Sequence, residues 1–306
     1  MIQQMLKSHP SSRGNKLATV QKKIIFLIQC EDRKGILSAT STWFFTRSYN
    51  ILHCQQHTDN LEGRYFMRIE LDMEDLKTTR KELEDDFDLF AKEYNLTWEC
   101  HYSDYNARMA ILVSKTSHCL YDLIARKNEG DLKCEISLII SNHPDLEVIA
   151  NQFRIPFYYL PVTAETKESQ EEKIRALLTR FDIDLVVLAR YMQILSSEFT
   201  SAWQGKIINI HHGFLPAFQG ANPYKRAYER GVKMIGATAH YASEDLDQGP
   251  IIEQDVVRVN HELSPNGLRD VGKDVERRVL ARATQAHLES RIIIWKNRTI
   301  VFDVER

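Results

Sequence analysis

A chain of 306 residues, 43% hydrophobic and 27% charged, has the make-up of ordinary globular protein and suggests two domains at roughly 100–200 residues each. A formal net charge of −2 offers no bulk attraction to nucleic acid or to a membrane surface, and no apolar run approaches the roughly 20 residues of a membrane span. The five cysteines, Cys30, Cys54, Cys100, Cys119 and Cys134, are odd in number, widely spaced and free of any CxxC pair, which fits a reducing cytoplasm and excludes a cysteine-built zinc site.

Residues 1–20, MIQQMLKSHPSSRGNKLATV, are polar, lack the apolar core of a secretory signal and read as a flexible tail. A first domain is expected over 21–104. KKIIFLIQC (22–30) is a strand, DRKG (32–35) a turn, and 36–48 carries apolar residues at helical spacing. Residues 50–58 and 63–71 alternate as strands, with DNLEG between them as a hairpin signal. An amphipathic helix over 76–95 and a strand over 96–103 complete the order βαββαβ, the ferredoxin-like pattern. The opening strand–DRKG–helix, with NIL at 50–52, resembles the ACT family of small regulatory domains, which often bind amino acids at a dimer interface. That resemblance implies a homo-oligomer and makes Asp32, Arg33 and Gly35 candidate ligands for an amino-acid effector. The turn presents helix-start N–H groups to a carboxylate, and Asp32 to an ammonium. The plainer alternative is that DRKG is only a loop and a helix cap.

A second domain is expected over 105–306. Strands at 108–115, 134–142, 156–162 and 185–190 alternate with helices at 119–130, 145–153, 167–181 and 193–203, and IINIHHG follows at 207–213. This spacing predicts βαβ units and a doubly wound, mostly parallel sheet. Ligands of such sheets bind beyond the carboxyl ends of the strands. Asn209 and His211, two apart on one strand, face the same side there, whereas His212 faces away and reads as structural. Residues 235–259 read as two more strands joined by an acidic loop that carries Asp247 and stops at Gly249-Pro250.

An amide, an imidazole and a carboxylate suit attack on a carbonyl. Asn209 and His211 donate hydrogen bonds to the oxygen on which negative charge builds. Asp247 either holds His211 protonated or takes a proton from the attacking group. The chain has no GxSxG elbow and no cysteine near this loop, which favours direct transfer over a covalent intermediate. His240, in TAHY, is an orienting residue for the trio or simply a core histidine. A metal held by His211, His240 and Asp247 has no ligand-spacing motif behind it, and none is expected.

NIHHGFLPAFQGANPYKRAYERG, IGATAHY, DLDQGPIIEQDV and LARYMQIL together closely resemble the formyltetrahydrofolate deformylases, of the folate-dependent formyltransferase superfamily. The resemblance covers nearly the whole chain, because deformylases also carry an N-terminal ACT domain. It implies that Asn209, His211 and Asp247 are the catalytic trio. It also implies that LARYMQIL lines the pterin pocket, with Met192, Gln193, Ile194 and Leu195 nearest the ring. The implied reaction hydrolyses 10-formyltetrahydrofolate to formate and tetrahydrofolate, supplying formate for purine synthesis and balancing the one-carbon pool. It needs no cofactor and no nucleic-acid or membrane partner. Two departures stand out. Gly213 occupies the place of a serine in the usual NIHHSFLP, and the polar tail is long.

The nearest alternative is an amine acceptor such as glycinamide ribonucleotide. Formyltransferases of that kind begin with a Gly- and Ser-rich loop whose backbone holds a phosphate. The corresponding loop here, SKTSHC (114–119), has no glycine, although Lys115 remains a possible anion contact. The methionyl-tRNA relatives carry a further RNA-binding domain, whereas this chain runs out at TIVFDVER without a basic excess. A non-catalytic sensor of folate or amino acid is the remaining alternative, and it has no use for an intact trio.

Overall fold

The structure, a computed structural model, describes residues 21–216 and 223–303. The tail expected over 1–20 lies outside the described residues.

The first layer contains β1 (Lys23–Glu31), α1 (Ile36–Thr46), β2 (Ile51–Asp59), β3 (Arg64–Asp72), α2 (Arg80–Glu93) and β4 (Thr97–Tyr102). Its sheet is antiparallel in the order β2-β3-β1-β4, the ferredoxin-like arrangement expected. One face packs Ile24, Phe26 and Ile28 against Phe44 of α1 and Phe87 of α2, with the Phe26 and Phe87 rings 4.6 Å apart. Thr79 and Glu82 close a capping box that starts α2. An antiparallel sheet usually leaves its other face to water and alternates accordingly. β1 does not alternate: Ile24 through Ile28 are all buried. The reason lies at the far end of the chain. A hairpin of β12 (Ile292–Trp295) and β13 (Arg298–Val301) covers that second face, and Leu27 and Phe66 pack on Ile293 and Phe302. Arg68, 4% exposed, donates from Nε to the Ser290 carbonyl at 2.8 Å and from Nη2 to that of Glu289 at 3.1 Å.

The second layer runs β5 (Ala107–Val113), α3 (His118–Glu129), β6 (Cys134–Ser141), α4 (Glu147–Gln152), β7 (Phe157–Tyr159), α5 (Lys167–Arg180), β8 (Leu185–Leu188), α6 (Ser197–Ala202) and β9 (Ile207–His211). It continues with α7 (Pro223–Arg230), β10 (Met234–Tyr241), β11 (Ile251–Arg258) and α8 (Pro265–Leu288). The seven strands lie in the order β11-β10-β9-β8-β5-β6-β7, parallel from β5 to β9, with β10 and β11 antiparallel. Helices cover both faces: Val275, Val279 and Leu280 of α8 join the core on one, and Ile174, Leu178 and Phe199 of α5 and α6 join it on the other. β8 is therefore apolar throughout, and β5 and β6 are mostly apolar and buried, with Arg108 and Glu135 near their amino ends, as expected of central parallel strands.

Two features differ from the expectation. The helix expected over 193–203 begins only at Ser197, because the Ser196 hydroxyl accepts from the Phe199 N–H and caps it there, leaving 189–196 as a loop. The 24-residue α8, the α7 helix and the β12–β13 hairpin extend the expected element set. For α8 the signal was present as Ser264 at the N-cap followed by Pro265.

Candidate active site

β9 ends at the carboxyl edge of the sheet. Its alternation buries Ile208 and Ile210 in the core on the α8 side and turns Asn209 and His211 the other way. The antiparallel β10 places His240 directly opposite Asn209. Residues facing each other across such a pair project from the same face. Asn209 Nδ2 accordingly lies 3.2 Å from His240 Nε2, and His240 Nδ1 meets the Tyr241 carbonyl at 2.9 Å. A carbonyl only accepts, so Nδ1 carries a proton, and Nε2 is left to accept from the Asn209 amide. That amide has a second N–H left for another partner.

Asp247 reaches the same place from the acidic loop between β10 and β11. Its φ of +58° is a left-handed conformation that non-glycine residues seldom adopt. The loop lies close over β10: a Cβ added at Gly249 would fall 1.8 Å from the Tyr241 carbonyl oxygen. The glycine of the LDQGP stretch is thus required for close approach. Asp247 Oδ2 is 3.1 Å from His211 Nδ1, and Oδ1 is 3.7 Å from His240 Nε2, near enough for charge but long for a hydrogen bond. Burial pushes the Asp247 carboxyl up, but hydrogen bonding and the charge of the two histidines outweigh it and hold the group well below the ordinary carboxylate range. Asp247 is an anion at neutral pH. His211 is 4% exposed, and its Nε2 is buried with no hydrogen-bond partner among the described residues.

Gln193, Ile194 and Leu195 line a cleft with Asn209, His240 and Asp247. Its enclosed part is about 60 Å³, room for a few waters or a one-carbon group. Met192, expected beside them, does not line it. Its side chain is exposed and its backbone N–H is held by the Ser114 hydroxyl at 2.9 Å. A larger cavity of about 670 Å³ lies between β4 and the amino ends of β8 and β9, with no candidate residue in its wall.

Gly213 is buried and its carbonyl accepts from Thr238 Oγ1 at 2.9 Å, while that hydroxyl accepts from the Leu215 N–H at 3.1 Å. The turn after β9 is therefore anchored to β10 through backbone atoms. His212 faces away, as expected. Burial and the Arg190 cation beside it push its imidazole down to about 3, so it is neutral. The turn residues Asp32, Arg33 and Gly35 lie apart from this site, in the first layer. Gly35 has a φ of 93° and starts α1 without a side-chain cap, while Arg33 donates to the Tyr94 carbonyl.

A parallel sheet ending in Asn209-x-His211 and answered by an aspartate on the next hairpin defines a formyltransferase-type protein, and the formyl transferase family matches residues 107–284. More narrowly, the chain belongs to the formyltetrahydrofolate deformylases. It is 51% identical over 276 residues to a formyltetrahydrofolate deformylase of Synechocystis, covering 90% of this chain and 97% of that one. The crystal structure of a formyltetrahydrofolate deformylase from Pseudomonas syringae superimposes with a TM-score of 0.91 at 41% identity, covering 94% of this chain and 96% of that one. A glycinamide ribonucleotide transformylase from Symbiobacterium toebii reaches a TM-score of 0.62 at 27% identity, and covers 66% of this chain and 97% of that one.

Proposed function

We propose that the protein hydrolyses 10-formyltetrahydrofolate to formate and tetrahydrofolate, with Asn209, His211 and Asp247 as catalytic residues. The observation that carries this is the state of His211. One ring nitrogen is tied to an ionised carboxylate, the other is buried with no partner among the described residues, and Asn209 on the same face of β9 has a second amide N–H to give. With Nδ1 of His211 held by the Asp247 carboxylate, a proton on Nε2 and the Asn209 Nδ2–H converge on the formyl oxygen. Water attacks the formyl carbon, a C–O bond forms, and the tetrahedral oxyanion receives both donors. Collapse breaks the bond to the folate nitrogen, which takes up a proton as water's own proton departs. His240 Nε2, with Asp247 Oδ1 3.7 Å away, is placed to carry that proton. Gln193, Ile194 and Leu195 hold the folate beside this centre.

Water as acceptor is supported by the glycine-free loop at 114–117 and by agreement with deformylases over nearly the whole chain, against about two-thirds with the transformylase. The reaction needs no further cofactor, and the product formate enters purine synthesis from a cytoplasmic enzyme. Residues 21–104 form an ACT-like regulatory domain and 105–306 the catalytic one. The uncapped start of α1 after Gly35, with Asp32 beside it, receives an amino-acid effector in a homo-oligomer. Arg33, already held by Tyr94, has less freedom to take part. The decisive measurement is release of free formate from 10-formyltetrahydrofolate by the purified protein, with and without glycinamide ribonucleotide. Stoichiometric formate in both conditions is expected. Formyl transfer to the amine without free formate would overturn the reading.

A further inference from the structure

Behind β9, on the side away from the trio, α8 carries Glu276 with 1% exposure. A carboxylate that deep must be neutralised by partners or lose its charge. Its partners come from three different elements. His118 Nε2, at the start of α3, lies 2.8 Å from Oε2; the Tyr224 hydroxyl of α7 donates to Oε1 at 2.6 Å; and Arg190 Nε, just after β8, is 3.5 Å from Oε2. Burial pushes the Glu276 carboxyl up, but His118, Arg190 and Tyr224 prevail and keep it below its ordinary range.

Each partner is one step from the candidate site. Arg190, at a φ of +66°, opens the loop that continues into Gln193, Ile194 and Leu195. His118 follows the 114–117 loop, whose Ser114 hydroxyl accepts from the Met192 N–H and donates to Asn142. The Tyr224 ring is 6.0 Å from that of His212, which is 5.4 Å from that of His211. A second, independent observation concerns α8 itself. It carries Gly272 one turn before Glu276, and a Cβ there would fall 2.0 Å from the Tyr224 hydroxyl. Glycine in a helix interior is unfavourable, and here it makes the room that Tyr224 needs to reach the carboxylate.

We infer that Glu276 is a positioning residue: one buried anion that ties the loop after β8, the loop after β5 and helix α7 together, and so sets the shape of the folate cleft. This rests on the proposed folate reading of that cleft. Cys119 Sγ also lies within 4.8 Å of His118 and Glu276 ligand atoms, as in a three-ligand cation site. Both Glu276 oxygens already have hydrogen-bonding partners, and Arg190 adds a cation where a metal would have to sit. Burial pushes the Cys119 thiol well up, away from the thiolate a metal requires.

The test uses the full chain with Glu276→Gln, Tyr224→Phe and Gly272→Ala. For Glu276→Gln the KM for 10-formyltetrahydrofolate and the Kd of tetrahydrofolate, read by calorimetry, should both rise by about 10- to 100-fold, the scale of an ångström misplacement. kcat should fall less than KM rises, and its pH profile should stay in place because Asp247 and His211 are untouched. Tyr224→Phe and Gly272→Ala should shift KM and Kd in the same direction by less, and they decide the matter if Glu276→Gln does not fold. The Kd readout separates this inference from the hydrolysis reading, since it needs no turnover. Folded variants whose KM and Kd stay within about twofold of wild type would overturn it. So would one bound zinc per chain that raises wild-type activity and is lost in Glu276→Gln.

Discussion

Strand β9 has a polar cluster on each face. In front, Asn209 and His211 meet His240 and Asp247 beside a cleft. Behind, His212 lies among Arg190, Tyr224 and Glu276. Both are buried and both centre on a carboxylate held ionised by its neighbours. They differ in what remains unmatched. Glu276 has a hydrogen-bonding partner on each oxygen, drawn from elements far apart in the chain. In front, His211 Nε2 has none among the described residues, and the Asn209 amide keeps an N–H for a visitor. A polar group left unsatisfied in a protein interior is costly, of order 1–3 kcal/mol. The front cluster retains that cost beside the cleft, where a reacting oxygen would remove it, whereas in the back cluster both oxygens of the carboxylate are bonded and the atoms without a hydrogen-bond partner among the described residues are Nε and Nη1 of Arg190. Arg190, whose Nε is 3.5 Å from Glu276 Oε2, acts there through its charge rather than through directed bonds.

The largest effect that tests this contrast comes from Asp247→Asn. Turnover should fall by about 10³-fold or more, as when the acid behind a catalytic imidazole is lost, while the Kd of tetrahydrofolate changes only a few-fold. Steady-state kinetics with calorimetry reads both. Weakened binding with turnover intact would place Asp247 with the back cluster instead.

Next in size is Asn209→Ala, which should cost on the order of 10²–10³-fold in kcat, the loss of one oxyanion donor. His211→Ala should cost at least as much. The double variant should lose less than the product of the two, because both donors serve one oxygen. Strictly multiplicative losses would mean that they act in separate steps.

Gly249→Ala sharpens the comparison through geometry alone. The added carbon meets the Tyr241 carbonyl, so the acidic loop must lift and carry Asp247 away from His211. A stability loss of about 1–3 kcal/mol in urea melts is expected, together with a fall in kcat of roughly tenfold or more. Unchanged kcat in a destabilised protein would show that the loop's close approach serves folding only.

The smallest effect concerns His212, behind the strand. Its folded-state value is lowered to about 3, below the 6.5 of an unfolded chain. The unfolded chain therefore takes up a proton that the folded one refuses as pH drops below 6.5. The contribution of His212 to stability is complete above pH 6.5 and is lost as pH falls toward 3, at no more than about 1.4 kcal/mol per pH unit. Urea midpoints at pH 7 and pH 5 should differ less in His212→Gln than in wild type. Equal differences would mean that His212 is not held neutral.

The sequence by itself determined the local things: the βαββαβ order, the parallel strands that follow it, and the side of β9 to which Asn209 and His211 point. Strand alternation and helical spacing are properties of short stretches, and a side chain's face follows from its position in the chain. The motif resemblance added residues 192–195, of which Gln193, Ile194 and Leu195 line the cleft and Met192 does not. Tertiary structure decided the rest. That β1 is buried on both faces depends on a hairpin that arrives some 270 residues later. That the expected helix over 193–203 starts only at Ser197 depends on Ser196, which is held through its N–H by Glu171 of α5 at 2.9 Å. That His240 faces Asn209 depends on the register of β10 against β9. Glu276 reads in sequence as one more charge on a long helix. Only packing shows that it is buried among His118, Arg190 and Tyr224, because those partners lie 158, 86 and 52 residues away along the chain, and nothing local records which distant groups will neutralise a charge.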